Sequence, residues 1–219
     1  MAAQKAYKGL PMEGPVATWY AKNTARDERR FRETGRAVAD RVRPGGRILE
    51  VAPGPGYLAI ELARRGYAVT AVDISRSFVR IARQNAADAG VNLTVEQGNA
   101  SALPLPDASF DYVVCMAAFK NFSDPVGAMN EMHRVLKPGG AASIYDLRKD
   151  ASAADIASEV RGMHLSALNA LVTRFIFRFG LLKAAYTREQ LEQMAAHSRF
   201  GRCEVSVSGI GLEVVLARQ

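Results

Sequence analysis

The chain has 219 residues, of which 48% are hydrophobic and 23% charged, and its formal net charge is +7 at pH 7. These values are ordinary for a globular protein and exclude fibrous, disordered and disulfide-stapled classes. The two cysteines, Cys115 and Cys203, lie far apart without a metal-binding spacing, so no metal site is predicted. The length predicts one domain over residues 1–219.

The start of the chain lacks the apolar stretch of a signal peptide, and the most apolar segment, Leu165–Leu182, is interrupted by Asn169, Arg174 and Arg178. We therefore expect a cytoplasmic protein without stable membrane insertion, whose basic residues permit transient contact with an anionic membrane surface. No aromatic-basic motif accompanies the positive charge, so nucleic acid is not an expected partner. A homodimer is compatible with these features.

Apolar residues recur at helical spacing over residues 15–42, which predicts an N-terminal helical cap over residues 1–44. After the cap, strand-like and helix-like segments alternate. The predicted order is strand Arg47–Ala52, helix Leu58–Arg65, strand Ala68–Asp73, helix Phe78–Ala89, strand Asn92–Gln97, strand Phe110–Met116, helix Val126–Leu136, turn Lys137–Gly140 and strand Ala141–Asp146. This alternation predicts an α/β fold with a parallel sheet and helices on both faces.

The end of the chain departs from this alternation. A helix predicted over Thr187–His197 is followed by two strand-like runs, Cys203–Ser208 and Leu212–Ala217. Only the short turn Ser208–Gly211 lies between the two runs, which is too short for a parallel crossover. The last strand is therefore predicted to be antiparallel.

A glycine-containing turn, with Gly54 and Gly56, follows the first strand and opens the first helix. Glycines let the backbone turn sharply and approach a ligand, and the helix start offers unpaired N–H groups. Asp73 ends the second strand nineteen residues after Gly54, where its carboxylate can accept both hydroxyls of a ribose. These features predict a nucleotide-binding site.

Two classes of nucleotide fit this turn. The spacing of Gly54, Gly56, Ala59 and Asp73 also satisfies the dinucleotide fingerprint, so a nicotinamide-dependent oxidoreductase is an alternative. Glu50 argues against it, because a pyrophosphate beside this carboxylate would suffer like-charge repulsion. An adenosine that carries positive charge would be attracted instead.

From about Tyr20 to Arg148, the sequence resembles the class I S-adenosylmethionine-dependent methyltransferases, in particular the ubiquinone/menaquinone-biosynthesis-type small-molecule enzymes. Five blocks carry the resemblance in order: Ile48–Gly56, Val72–Ser75, Gly98–Ala100, Leu103–Asp111 and Arg134–Gly140. The resemblance implies a Rossmann-like, seven-stranded mixed sheet of order 3-2-1-4-5-7-6. It also implies that S-adenosylmethionine is the cofactor and that a methyl group is transferred to O, N or C of a small, aromatic or apolar metabolite.

The resemblance, together with the turn, assigns ten residues to the cofactor: Tyr20, Glu50, Ala52, Gly54, Gly56, Asp73, Ile74, Asn99, Ala100 and Met116. Two of them depart from the family. Ala52 stands where the family usually has a glycine, and Asn99 stands where an aspartate usually accepts the adenine amino group. A neutral oxygen accepts that hydrogen bond more weakly than a carboxylate does.

On the acceptor side, Lys120 and Asn121 replace the His-His or Glu-His pair that the family often has after its fourth strand. Lys120 is the preferred candidate for pairing with an acidic group of the acceptor, and a solvated loop lysine is the alternative interpretation. His164 is a candidate base within residues 147–186, which we predict to be an inserted helical segment that roofs the substrate. A cofactor-binding protein without turnover and an RNA methyltransferase remain further alternatives.

Overall fold

The computed structural model describes residues 7–8, 11–163 and 166–219. Its centre is a seven-stranded sheet of order β3-β2-β1-β4-β5-β7-β6, as predicted. The strands are β1 Arg47–Val51, β2 Ala68–Asp73, β3 Thr94–Gln97, β4 Phe110–Met116, β5 Leu136–Leu147, β6 Glu204–Ser208 and β7 Gly211–Ala217.

Eight α-helices within the described ranges surround the sheet: α1 Gly14–Thr24, α2 Glu28–Ala39, α3 Tyr57–Arg64, α4 Arg76–Asp88, α5 Pro125–Val135, α6 Ala153–Gly162, α7 Ala167–Ile176 and α8 Arg188–His197. A 3-10 turn covers Phe119–Asn121, and α7 continues into a π-helical turn, Phe177–Leu181. The predicted N-terminal cap is two helices, because the chain leaves helical geometry at Asp27, the residue before α2.

The pairing of the strands confirms the predicted mixed sheet. β3, β2, β1, β4 and β5 are parallel, whereas β7 is antiparallel to both β5 and β6. The β6–β7 connection closes on the pair Ser208 and Gly211, and Gly209 within it has a φ of +53°. A two-residue loop of this kind suits a tight hairpin, which is why the last strand runs antiparallel.

β5 begins five residues earlier than predicted. Lys137–Gly140, predicted as a turn, lies inside the strand, where the register against β4 shifts between Phe110 and Tyr112. Gly139 has a φ of +77° and donates its N–H to the carbonyl of Arg218. The irregular stretch is thus paired with the end of the chain, which keeps it in the sheet.

The sheet is covered on both faces by apolar side chains. Neighbouring residues of a strand point to opposite faces, so Leu49 packs in one cluster with α5 and α8 while Ile48 packs in the other with α2 and α3. A third, small cluster holds α6 and the turn after α7 against the β6–β7 hairpin through Ile156, Phe177 and Ile210. Because β1, β2, β4 and β5 are parallel, their carboxyl ends meet at one edge of the sheet, which is the usual ligand edge of such folds.

Candidate functional site

The turn after β1 is tied to the end of β2. The N–H of Gly54 donates to Oδ2 of Asp73 over 3.0 Å, and the N–H of Ser75 donates to Oδ1 over 2.8 Å. A side chain at Gly56 would put its Cβ 3.0 Å from that of Ala82, so glycine is needed where α3 passes α4. At Gly54, by contrast, a Cβ would meet only the ring of Tyr20, at 4.0 Å. The backbone of Gly54 is therefore open to a ligand beneath Tyr20.

Glu50 lies at the end of β1, next to this turn, and is only 2% exposed. Its Oε2 atom is buried without a hydrogen-bond partner. Burial, and secondarily the charge of Asp73, raises the pKa of Glu50 to about 8, although the amide of Ala59 lowers it. Burial also raises the pKa of Asp73 to about 6, against the two N–H donors that lower it. A cationic group would satisfy this pair of carboxyl groups.

Two alanines at the site have a left-handed backbone. Ala52 follows β1 with a φ of +56°, and Ala117 follows β4 with a φ of +58°. This conformation costs a residue with a Cβ roughly 1–2 kcal/mol. Ala52 therefore adopts the left-handed conformation that glycine favours. The resulting backbone strain lies beside the candidate ligand site, and such strain is often found at functional sites.

Of the other residues predicted to bind the cofactor, Ile74, Asn99 and Ala100 follow β2 and β3, whereas Met116 ends β4. The side chain of Ile74 is 40% exposed, although it is apolar. Asn99 uses Oδ1 to accept the N–H of Ser101 over 3.0 Å, and Ala100 beside it is half-buried. An amide oxygen has two lone pairs, so Asn99 can still accept a second hydrogen bond. Met116 ends β4 with its side chain almost fully buried.

Lys120 is buried and paired, so the solvated-loop interpretation of this residue is wrong. Its side chain is 9% exposed, and Nζ donates to Oδ1 of Asp146 over 2.7 Å and to the carbonyl of Ala117 over 2.9 Å. The N–H groups of Lys120 and Leu147 also donate to the Asp146 carboxylate, over 2.9 and 2.8 Å. The pair joins the loop after β4 to the end of β5, so any role toward an acceptor involves Asp146 as well.

The other predicted acceptor-side residues are less closely tied to this pair. Asn121 is half-buried, and its main-chain carbonyl accepts a hydrogen bond from the N-terminal segment. His164 lies outside the described residues. Phe175 and Phe179, which were predicted to roof the substrate, are exposed, whereas Phe177 points inward. The catalytic roles of Lys120, Asn121 and His164, and the substrate roof, stay predictions.

Sequence reasoning missed an N-terminal strap, here defined as residues 7–8 and 11–13. The N–H of Lys8 donates to the carbonyl of Asn121 over 2.8 Å. At the other end of the strap, the Glu13 carboxylate accepts the first two N–H groups of α4, over 2.9 and 3.0 Å. The side chain of Ser77, and after it these N–H groups, lowers the pKa of Glu13. The strap therefore joins the end of β2 to the loop after β4. No local pattern announces these contacts, because they bridge residues more than sixty positions apart.

Sequence comparison finds relatives for the central part of the chain, which includes Glu50, Gly54, Asp73 and Lys120. Residues 49–144 match the profile of a family described as "Methyltransferase domain". The chain is 42% identical over 108 residues to the demethylmenaquinone methyltransferase of Deinococcus radiodurans, which covers 48% of this chain and 45% of that protein. It is 38% identical over 107 residues to a ubiquinone/menaquinone biosynthesis C-methyltransferase of Geobacter sulfurreducens, covering 47% and 42%. The chain thus spans less than half the length of these relatives.

Structural comparison extends the likeness to the whole fold. A crystal structure from Methanococcus maripaludis, assigned provisionally to the S-adenosylmethionine-dependent methyltransferases, superposes with a TM-score of 0.76 at 20% identity. The superposition covers 100% of this chain and 97% of that one. This superposition confirms the predicted fold, and the sequence matches confirm the predicted resemblance to methyltransferases of the ubiquinone/menaquinone type.

Proposed function

Because residues 49–144 carry a methyltransferase domain, we propose that this protein transfers the methyl group of S-adenosylmethionine to a small aromatic or apolar acceptor. The observation that carries the proposal is the buried, unpartnered Oε2 of Glu50 at the open glycine turn. A buried carboxylate without a partner is unfavourable, and a cation bound beside it would stabilise it. The ammonium and sulfonium of the methionine part would supply one.

The residues present fit this cofactor. Glu50 and the backbone of Gly54 would hold its methionine part, and the lone pairs of Asp73 that the backbone leaves free would accept the ribose hydroxyls. Asn99 and the exposed side chain of Ile74 would contact adenine. When bound, the cofactor supplies an electrophilic methyl group.

The chain contributes position and a dry environment rather than covalent chemistry. With the cofactor held by Glu50 and the Gly54 backbone, the site would supply a methyl group to an acceptor bound on the β4–β5 side. The acceptor would gain the methyl group and give up a proton, and S-adenosylhomocysteine would be the second product. We propose that the N–H of the Lys120 ammonium that is left free by Asp146 and by the carbonyl of Ala117 donates to the anion of an acidic acceptor hydroxyl. Asn121 and His164 remain proposed acceptor-side groups.

The names of the relatives suggest the class of acceptor. They are named for demethylmenaquinone and for C-methylation in ubiquinone and menaquinone biosynthesis. We extend this to a hydroxylated ring of the quinol type. Phe119, the residue before Lys120, is buried and packs against the ring of Tyr186 at 6.1 Å, so an aromatic, apolar environment adjoins the Lys120–Asp146 pair.

The nicotinamide-dependent alternative meets an electrostatic obstacle. Its pyrophosphate would lie beside Glu50, whose Oε2 has no hydrogen-bond partner within the described residues. Like charges in a buried site repel strongly. Neither the matched family nor the relatives support an oxidoreductase.

Calorimetry distinguishes S-adenosylmethionine from NAD as the cofactor of this site. We expect S-adenosylhomocysteine to bind and NAD not to bind, and we expect Glu50→Gln to weaken S-adenosylhomocysteine by about 1.5–3 kcal/mol, the scale of a charged hydrogen bond. Tight NAD binding, or an indifferent Glu50→Gln variant, would overturn the cofactor assignment.

A second assay tests turnover. Methyl-labelled S-adenosylmethionine is incubated with quinols, phenols, amines and thiols, and transfer of label to one of these acceptors is expected. Binding of S-adenosylhomocysteine without transfer to any acceptor would instead favour a cofactor-binding protein that lacks turnover. Activity on small acceptors that does not depend on salt would argue against an RNA substrate.

A further inference from the structure

The segment from α7 into the following π-helical turn carries an apolar stripe that faces solvent. Its six members recur at intervals of three and four residues, which puts them on one side of a helix. Each is between 49% and 71% exposed: Leu168, Leu171, Val172, Phe175, Ile176 and Phe179. Large apolar side chains clustered in this way mark a binding surface.

The charge around the stripe has one sign. No Asp or Glu occurs between Glu159 and Glu189, whereas Lys and Arg occur five times: Arg161, Arg174, Arg178, Lys183 and Arg188. Helical geometry places Arg174 and Arg178, four residues apart, along one edge of the stripe.

A groove of about 460 Å³ opens beside this edge, and its lining includes Lys149, Arg178 and Lys183. Within the described residues, none of these three cations forms an ion pair with a carboxylate. The groove therefore offers positive charge next to apolar surface, in the arrangement that an anionic headgroup and its acyl chain would meet.

We propose that this apolar–basic face, defined by the six stripe residues with Arg174, Arg178, Lys183 and Lys149, binds the surface of an anionic lipid bilayer. The stripe would enter the interface between headgroups and acyl chains, with α7 parallel to the membrane plane. The basic side chains would extend to the lipid phosphates. Among the described residues, no helix is long and apolar enough to cross a membrane, so the contact is peripheral.

Charge decides between the bilayer and a second copy of the chain. Two copies that met through this face would bring two acid-free segments together, and each chain already carries a net charge of +7. Like charges at an interface oppose association. An anionic bilayer complements both the apolar stripe and its basic edge.

The position of the face gives it a functional consequence. The segment leaves the sheet at Leu147, the last residue of β5, and returns at Tyr186, whose ring lies 6.1 Å from that of Phe119 at the candidate site. Membrane docking would therefore hold the acceptor side of the site near the bilayer. The docking proposal does not depend on which reaction the site performs.

Co-sedimentation with vesicles tests the proposal. The full chain should bind vesicles that contain phosphatidylglycerol at least about tenfold more strongly than vesicles of phosphatidylcholine alone, and added salt should reduce this preference. Arg174→Gln with Arg178→Gln should weaken binding about thirty-fold, since each basic residue contributes about one kcal/mol near such a surface. Phe175→Ser with Phe179→Ser should weaken it at least about tenfold.

A matched control uses Val207, which is exposed on β6, far from the stripe in the sequence. Val207→Ser should bind vesicles like the wild type, and melting temperatures verify that all variants fold. Failure to bind either kind of vesicle would overturn the proposal. So would a wild-type chain that forms dimers in sedimentation equilibrium and loses them on Phe175→Ser with Phe179→Ser, because the face would then serve a second copy.

A spectroscopic readout reports on the stripe itself. Trp19 is the single tryptophan, so Phe175→Trp in a Trp19→Phe background places one fluorophore on the face. Its emission should shift to the blue with phosphatidylglycerol vesicles and should be quenched by brominated lipid. Unchanged emission in the presence of bound vesicles would show that another surface makes the contact and would overturn the proposal.

Discussion

Glu50 and Asp146 are two of the three acids that are buried at the ligand edge within the described residues, and their surroundings differ. Glu50, at the end of β1, has one carboxylate oxygen with no partner. Asp146, at the end of β5, binds the ammonium of Lys120 and accepts two backbone N–H groups. In the free protein, the Glu50 carboxyl group therefore lacks a hydrogen-bond partner for one oxygen, whereas the Asp146 carboxylate has a cation and two N–H donors.

The difference indicates what each half of the site is made for. A buried carboxyl group without a cation is held at a cost in stability unless a ligand supplies the charge. A paired and hydrogen-bonded carboxylate needs no ligand and fixes the backbone around it. The β1–β2 half is thus suited to a cationic cofactor. In the β4–β5 half, the Lys120–Asp146 ion pair carries little net charge and fixes the local backbone.

The largest expected effect comes from a substitution that breaks the Lys120–Asp146 ion pair. Lys120→Met leaves Asp146 buried without its cation and should lower the free energy of unfolding by about 3–5 kcal/mol. Urea denaturation measures this loss. The double variant Lys120→Met with Asp146→Asn should recover a large part of it, because no uncompensated charge remains.

This control also sharpens the proposed role of Lys120. Methyl transfer by the double variant should be lost most severely below the pKa of the acceptor and restored at high pH. Full activity across that range would show that the pair is structural. A single variant as stable as the wild type would contradict the buried ion pair itself.

The next effect concerns the Glu50 carboxyl group. The pKa of Glu50 is raised by burial from 4.5 to about 8, so the folded state holds the proton more tightly than the unfolded state between these values. The free energy of unfolding should therefore fall as the pH rises from about 4.5 to 8, by up to about 4 kcal/mol without ligand. Denaturation at a series of pH values measures the slope.

Glu50→Gln is the matched control for this slope. Glutamine mimics the protonated acid, so the variant should lack the contribution of Glu50 and exceed the wild type in stability near pH 8. Asp73 has a pKa raised to about 6, so its contribution to the pH dependence of the unfolding free energy remains below that pH in both proteins. Superimposable wild-type and variant curves would mean that Glu50 does not titrate in this window.

A smaller effect is expected at Asn99, on the adenine side of the cofactor half. Asn99→Ala removes a neutral acceptor and should weaken S-adenosylhomocysteine by about 0.5–1.5 kcal/mol. Calorimetry measures the change. Asn99→Asp supplies the stronger acceptor that the family resemblance implies, and it should bind the ligand more tightly than the wild type. Unchanged affinity in both variants would remove Asn99 from the ligand set.

The smallest effect concerns the backbone beside Glu50. Ala52→Gly relieves the left-handed conformation at a φ of +56° and should stabilise the protein by about 0.5–1 kcal/mol. Ala59→Gly, within α3, should instead destabilise it by about 1 kcal/mol, because glycine weakens a helix interior. Equal losses in both variants would show that Ala52 is not strained.

Patterns that depend on neighbouring residues were readable from the sequence. The alternation of strands and helices predicted the parallel part of the sheet, and the short β6–β7 connection predicted the antiparallel last strand. The family resemblance supplied the sheet order. The pairing of Lys120 with Asp146 was not readable, because it joins two loops that only the register of β4 and β5 brings together. The apolar face of α7 was readable from its spacing, but its exposure was not, since spacing shows that a helix has an apolar face but not where that face points.

The N-terminal strap has a consequence for how the two halves of the site are coupled. At one end, the Glu13 carboxylate accepts the first two N–H groups of α4. At the other end, Lys8 donates its N–H to the carbonyl of Asn121 and its Nζ to the hydroxyl of Tyr186, the latter over 2.8 Å. The same short stretch of chain is therefore bonded to both halves of the site, so a change in the position of one half is passed to the other through these hydrogen bonds.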